Sequence, residues 1–269
     1  MSSDPVAAEL DNPSRAFFKE TVLPRRRPVI IRHAVDDWPA VRQWSVDYLT
    51  RRVGARQIRV THSPGGVYDS PNYVFMTVDA FLARLAASND TKDQYYVTGI
   101  EIADALPELA PDVRVPGIVG EERLDYRHLF IGRDSVTGCH FHPRHQNLLI
   151  QLVGRKQVVL FAPADSRYLY PKALSGPFFN HSRVGDVRTY DPQQYPRLRD
   201  ATPVEVTLEP GMMLHIPVHW WHAVYGAGFN ISLALFWPAR IREWSFPHPG
   251  FRSGIRAGVA AARRVLGAS

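Results

Sequence analysis

The sequence predicts a mainly β fold, a double-stranded β-helix or jelly-roll barrel with an N-terminal α+β elaboration and a C-terminal helix. Three observations predict it. From about residue 126, short runs rich in β-branched and aromatic residues recur at close spacing between Gly and Pro turns, as in sandwiches and barrels. The first hundred residues instead mix helix and strand signals. The 45% of hydrophobic and 11% of aromatic residues can bury a substantial core, yet no stretch approaches the ~18 to 20 uninterrupted apolar residues of a membrane span.

In chain order, Asn12 and Ser14 are candidate caps for a helix carrying Phe17, Phe18, Val22 and Leu23, and 28–32 reads as a short strand. Ser45 is placed to cap a helix over 46–53, which Gly54 ends. Residues 58–61 and 73–76 read as strands, and Thr77 caps a helix through Phe81, Leu82 and Leu85. The stretch 100–125, rich in proline and acidic residues without periodicity, reads as an excursion or lid. Barrel strands are expected at 126–132, 147–153, 157–161, 204–208, 212–216, 223–225 and 230–237, interrupted by a long insertion over 171–202. From Ser253, Ile255, Val259, Ala262 and Leu266 recur at helical spacing opposite Arg256 and Arg263, an amphipathic helix suited to packing or to pairing a homodimer. The 269 residues are thus read as one domain, with 1–125 as elaboration and lid, 126–240 as barrel core and 241–269 as helical tail.

Charge and cysteine content narrow the setting. The net charge of +6 would suit acidic partners, but its densest cluster, Arg25 to Arg27, precedes the apolar run 28–31 and reads as a solvated turn, so nucleic acid is not the expected partner. The single Cys139 excludes an internal disulfide, and the first ten residues lack the basic and apolar regions of a signal peptide, so a cytoplasmic location is expected.

The chemistry concentrates in histidines. In the segment 137–142, Thr-Gly-Cys-His-Phe-His, a β conformation points His140 and His142 to one face and Cys139 and Phe141 to the other. Two imidazoles converging from one strand can chelate a metal. A third ligand must come from elsewhere, and His222 stands at a strand start near the end of the β-rich region, where a barrel can bring it across. Three facial ligands leave about three octahedral positions open. His145, His215 and His219 read as supporting or surface imidazoles, and Cys139 as packing.

Residues 130–161, the run 208–222 (Leu-Glu-Pro-Gly-Met-Met-Leu-His-Ile-Pro-Val-His-Trp-Trp-His) and 231–237 resemble the JmjC-type cupin-like family of Fe(II)/2-oxoglutarate oxygenases, as do Pro28-Val-Ile-Ile-Arg and Asp37-Trp-Pro. The resemblance covers nearly the whole chain. It implies His140 and His222 as histidine ligands of Fe(II), and Lys156 as the partner of the far carboxylate of 2-oxoglutarate. It also implies Thr137 as a hydroxyl on that carboxylate, with Asn147 and Tyr96 lining the cosubstrate pocket. The implied activity is a 2-oxoglutarate-dependent dioxygenase consuming O2, a hydroxylase of an amino-acid side chain in a peptide, protein or biosynthetic intermediate. Each residue also has a plainer reading, Lys156 as a hairpin charge and Tyr96 as a core aromatic.

The chain departs from that pattern where it matters most. The family usually has His-x-Asp; this chain has His140-x-His142, one extra residue before Asn147, and Leu235 where a family asparagine is expected. Three readings of His142 stand open. It ligates, raising the charge of the metal site by one unit; it swings away and leaves a coordination position open, as in halogenating relatives; or the site is a metal-binding module without oxygenase chemistry. A three-histidine dioxygenase that does not use 2-oxoglutarate is a further alternative, against which Lys156 and Thr137 speak.

Overall fold

A computed structural model of the chain describes residues 7–63, 67–68, 72–87, 94–173, 176 and 178–245. The tail helix expected from Ser253, and the homodimer contact it would make, lie outside the described residues. Among the described residues the N-terminal strands are β1 (Ala8–Asp11), β2 (Val29–Arg32), β3 (Gln57–Ser63), β4 (Val67–Tyr68), β5 (Tyr73–Thr77) and β6 (Gln94–Glu101). The barrel strands follow as β7 (Tyr126–Arg133), β8 (Val136–His140), β9 (His145–Phe161), β10 (Val204–Leu208), β11 (Met213–Ile216) and β12 (Trp221–Pro238). They join in one mixed, jelly-roll sheet that does not close, in the order β1-β2-β11-β9-β12-β7-β6-β3-β5, with β10 on β9, β8 on β12 and β4 on β8.

The N-terminal elaboration is α+β, as its sequence predicts. The first helical segment is three short turns, Arg15–Phe17, Phe18–Val22 and Leu23–Arg25, capped by Ser14, whose Oγ accepts from the Phe17 amide at 3.2 Å. Phe18, Val22 and Leu23 are buried, but Phe17 faces solvent, because the central turn is wound as a π-helix and shifts the apolar face by one position. Asn12 is no cap; its backbone N–H instead extends the β1–β2 pairing to the Arg32 carbonyl. Ser45 does cap Val46–Val53, accepting from Tyr48 N at 3.1 Å, and Thr77 Oγ1 accepts from Ala80 N at the start of Val78–Ala87.

Two pairs of expected strands are each one long strand. β9 runs unbroken through 154–156, and β12 through 226–229. Gly154 explains the first: at φ +70° it turns the chain within the ladder, and a Cβ there would stand 2.2 Å from the Phe229 carbonyl oxygen. The β12–β9 register slips between Ala227 and Ile231 beside it, so both strands bend together rather than end. The stretch 100–125, read as an excursion or lid, sends apolar residues inward. Its Ile102, Leu106, Leu109, Ile118 and Val119 sit in the main core with Phe18, Leu49, Phe81, Leu129 and Trp237.

Candidate metal centre and its cavity

The first half of β12 lies between two partners. His222 pairs with His140 of β8 on one side and with Leu160 of β9 on the other, so the distant histidine arrives directly opposite the first. β8 ends at His140, and His142 lies just beyond the strand in which it was expected. Two contacts nonetheless keep the extended alternation. Phe141 exchanges hydrogen bonds with Asn180, from its amide to the Asn180 carbonyl at 3.0 Å and to its carbonyl from Asn180 Nδ2 at 2.8 Å. The carbonyl of His142 accepts from the His219 amide at 3.1 Å. Cys139 and Phe141 are buried on the opposite face with Phe161, Trp221 and Tyr225. Burial pushes the Cys139 thiol pKa up.

The three imidazoles converge. Their ligating nitrogens lie within 4.8 Å of one another, and the ring centroids are 5.4 Å apart for His140 and His142, 4.3 Å for His140 and His222, and 4.7 Å for His142 and His222. Two rings are fixed from behind. His140 Nδ1 donates to the Gly138 carbonyl at 2.9 Å and His222 Nδ1 to the Trp220 carbonyl at 3.1 Å, which leaves the Nε2 lone pair of each to face outward. Nδ1 of His142 is buried with no hydrogen-bond partner. Burial holds all three below the usual histidine range, His142 and His222 well below it because neighbouring imidazoles add repulsion. They are therefore neutral near pH 7, the form in which histidine ligates a metal. Neutral, pre-oriented nitrogens and an orphaned buried one make a donor set that fits a divalent transition metal.

These rings line a cavity of about 260 Å³ with Tyr96, Thr137, Asn147, Lys156 and apolar Phe130, Leu149, Ile216, Val224, Ala234 and Phe236. The four residues singled out as cosubstrate contacts are thus brought to the same space as the histidines. Lys156 is buried, its Nζ 3.3 Å from the Tyr96 hydroxyl and 5.7 Å from the Phe130 ring, and burial lowers its pKa to about 7. Tyr96 is buried as well and its pKa is pushed up, an effect opposed by hydrogen bonds with Ser135 and Thr137. Asn147 Nδ2 donates to the Leu235 carbonyl at 3.4 Å. Leu235 itself turns into the core; Ala234 and Phe236 beside it are the residues that line the cavity.

The remaining histidines divide by role. His215 is packed between Phe18 and Trp237, with Nε2 on Gln146, and is part of the core. His219, at φ +70°, directs Nε2 to the Pro143 carbonyl at 3.2 Å and so ties the His222 loop to the His142 turn. His145 pairs with Asp125 at 2.9 Å. His181 is a residue that sequence reasoning misses. It comes from the 171–202 insertion, stacks on His140 with centroids 5.2 Å apart, and lines the cavity with Phe178. A lone histidine in a loop of prolines and glycines carries no spacing signal; only the backbone bridge between His140 and His181 brings it in.

The comparisons with known proteins agree with this architecture. The family of cupin-like domains matches residues 14–243. Over 252 residues the chain is 34% identical to the tRNA wybutosine-synthesizing protein 5 of Gallus gallus, covering 85% of this chain and 76% of that protein. Over 244 residues it is 30% identical to lysine-specific demethylase 8 of Xenopus tropicalis, covering 88% of this chain but only 54% of that protein. A JmjC domain-containing protein D of Dictyostelium discoideum is 27% identical over 242 residues, 82% of this chain and 54% of that protein. The chain therefore spans about half the length of some relatives and three-quarters of others.

Proposed function

Since the chain belongs to the JmjC-type cupin-like domain family, we propose that it is an Fe(II)/2-oxoglutarate-dependent dioxygenase that hydroxylates an amino-acid side chain of a peptide, protein or biosynthetic intermediate. The observation that carries this reading is the pairing within one cavity of three converging imidazoles, His140, His142 and His222, with a buried ammonium, Lys156. Among the described residues no carboxylate lines the cavity with Lys156; burying a lysine so is costly, and an anionic guest relieves that cost.

In this reading His140, His142 and His222 hold the iron, and Lys156, Tyr96, Thr137 and Asn147 hold the cosubstrate. When bound, ferrous iron supplies the redox chemistry that couples O2 reduction to decarboxylation of 2-oxoglutarate, with release of succinate and oxidation of a substrate C–H bond. The chain's own residues supply position and environment. Lys156 keeps its proton and pairs with the far carboxylate, while the Thr137 and Tyr96 hydroxyls donate to the same group. Asn147 fixes the near wall through the Leu235 carbonyl. Phe130, Leu149, Ile216, Val224, Ala234 and Phe236 exclude water from the reacting centre. Trp220 and Gly138 carbonyls hold the imidazole protons away from the metal.

His142 in place of a carboxylate is the observation that favours a rival, a three-histidine dioxygenase without 2-oxoglutarate. Anaerobic addition of 2-oxoglutarate to Fe(II)-loaded protein separates the two. A new visible charge-transfer band is expected on chelation, and its absence in the wild-type protein would sink the 2-oxoglutarate assignment. The names of the two relatives point one to lysine and the other to tRNA wybutosine synthesis, so succinate release is then followed with candidates of both kinds.

A further inference from the structure

Among the described residues the cavity offers no counter-charge to a cation. Besides the three imidazoles it is lined by Lys156 and His181, and no described Asp or Glu lies on its walls or in the histidine cluster. Carboxylates nearby in the fold are committed elsewhere. Asp186 accepts from the Tyr225 hydroxyl at 2.6 Å, Asp134 from the Gly228 amide at 2.7 Å, Glu243 from Gln146 and the Arg240 amide, and Asp125 pairs with His145.

A divalent ion held by three neutral imidazoles keeps both of its charges, whereas a site with one carboxylate ligand leaves it with one. Lys156, buried in the same cavity, adds a further charge whenever it is protonated. Cations sharing one cavity without counter-ions repel. A dicarboxylate with one end at the histidine cluster and the other at Lys156 would offset most of this charge.

Resting on the metal reading above, we infer that metal and dicarboxylate load this site together: His142 and Lys156 keep metal affinity low until the anion enters, so the co-ligand gates metal retention. By linkage the metal must raise anion affinity by the same factor. The departure from His-x-Asp then has a consequence that reaches beyond the reaction itself. The protein would hold its metal only where the dicarboxylate is abundant.

The test is equilibrium binding of Mn(II), read from the EPR signal of the free aquo ion, with and without saturating 2-oxoglutarate. Wild-type affinity should rise by roughly tenfold or more with the anion, within the usual range of coupling between sites. Protein-free samples at the same 2-oxoglutarate concentration correct for Mn(II) chelated in solution, which lowers the aquo-ion signal without any protein. His142→Asp should bind Mn(II) without anion roughly tenfold tighter than wild type, with a correspondingly smaller anion effect, since it restores the missing charge. Lys156→Met, as an independent variant, should also tighten anion-free binding, while losing most of the anion effect. Circular dichroism and a thermal melt establish that each variant is folded. Equal coupling factors in wild type and His142→Asp would overturn the gating. Absence of Mn(II) binding in wild type under both conditions would instead overturn the metal reading, and the gating with it.

Discussion

At the scale of single residues, Lys156 and Cys139 show how burial sorts reactive groups into useful and inert ones. Lys156 is buried with one hydroxyl partner and a pKa near 7, so in the empty cavity its charge is held at a cost. Lys156→Met should weaken 2-oxoglutarate binding by about 2–5 kcal/mol, the usual penalty for removing one member of a buried charge pair, measured by calorimetry on Mn(II)-saturated protein. A loss within error would mean that the far carboxylate is held elsewhere. Cys139 shares β8 with His140 but faces the opposite side among Phe141, Phe161 and Trp221, and its thiol pKa is raised by burial. It should resist Ellman's reagent in the native protein and react fully once unfolded. Rapid native labelling would contradict the strand alternation that also orients His140 and His142.

At the scale of elements, the β9–β12 pair decides where Lys156 and His222 stand. Gly154 lies two residues before Lys156 at φ +70°, against the Phe229 carbonyl, whereas a methyl group added to Gly228, at φ +62°, would meet no atom within 4 Å. Gly154→Ala therefore meets both backbone strain and a clash, and Gly228→Ala meets strain alone. Strain of this kind costs ~1–3 kcal/mol. We expect Gly228→Ala to lower Tm by a few degrees and Gly154→Ala by clearly more, with a loss of 2-oxoglutarate affinity only in the latter. Equal melting shifts would show that the bend is not what Gly154 supplies. The same pair marks the limit of what was legible in the sequence. Alternation was enough to put His140 and His142 on one face and Cys139 on the other, and the His222 strand start was visible in its Trp-Trp-His run. The continuity of β9 and β12 was not, because a glycine that bends a strand and one that ends it look alike in one dimension. Nor was the placement of His181, which depends on a backbone bridge to His140 across forty residues of chain. Nor was the inward packing of 100–125, for a related reason: scattered apolar residues such as Leu106 and Leu109 show no period, yet each finds the core.

At the scale of the whole molecule, the cavity links stability to pH through Lys156, and the sign can be worked out. Its folded pKa, about 7, lies below the 10.5 of an unperturbed lysine. Between these values the unfolded chain binds more protons than the folded one, so rising pH favours folding. The penalty is complete below about pH 7, shrinks across the window and vanishes above pH 10.5. Other groups titrate as well, but Lys156→Met shares them, and the difference between the two proteins isolates this one. Without ligand, the stability advantage of Lys156→Met over wild type should be largest near pH 7 and should fall by up to about 1.4 kcal/mol per pH unit toward pH 9.5, measured by urea unfolding. Metal and 2-oxoglutarate should reverse the pattern. Paired with a carboxylate, the ammonium is favoured in the folded state, its pKa moves up, and wild type becomes the more stable protein, with that benefit lost only as pH rises through the new folded pKa. A difference flat in pH, with and without ligand, would mean that Lys156 neither loses its proton in the empty cavity nor meets an anion in the filled one.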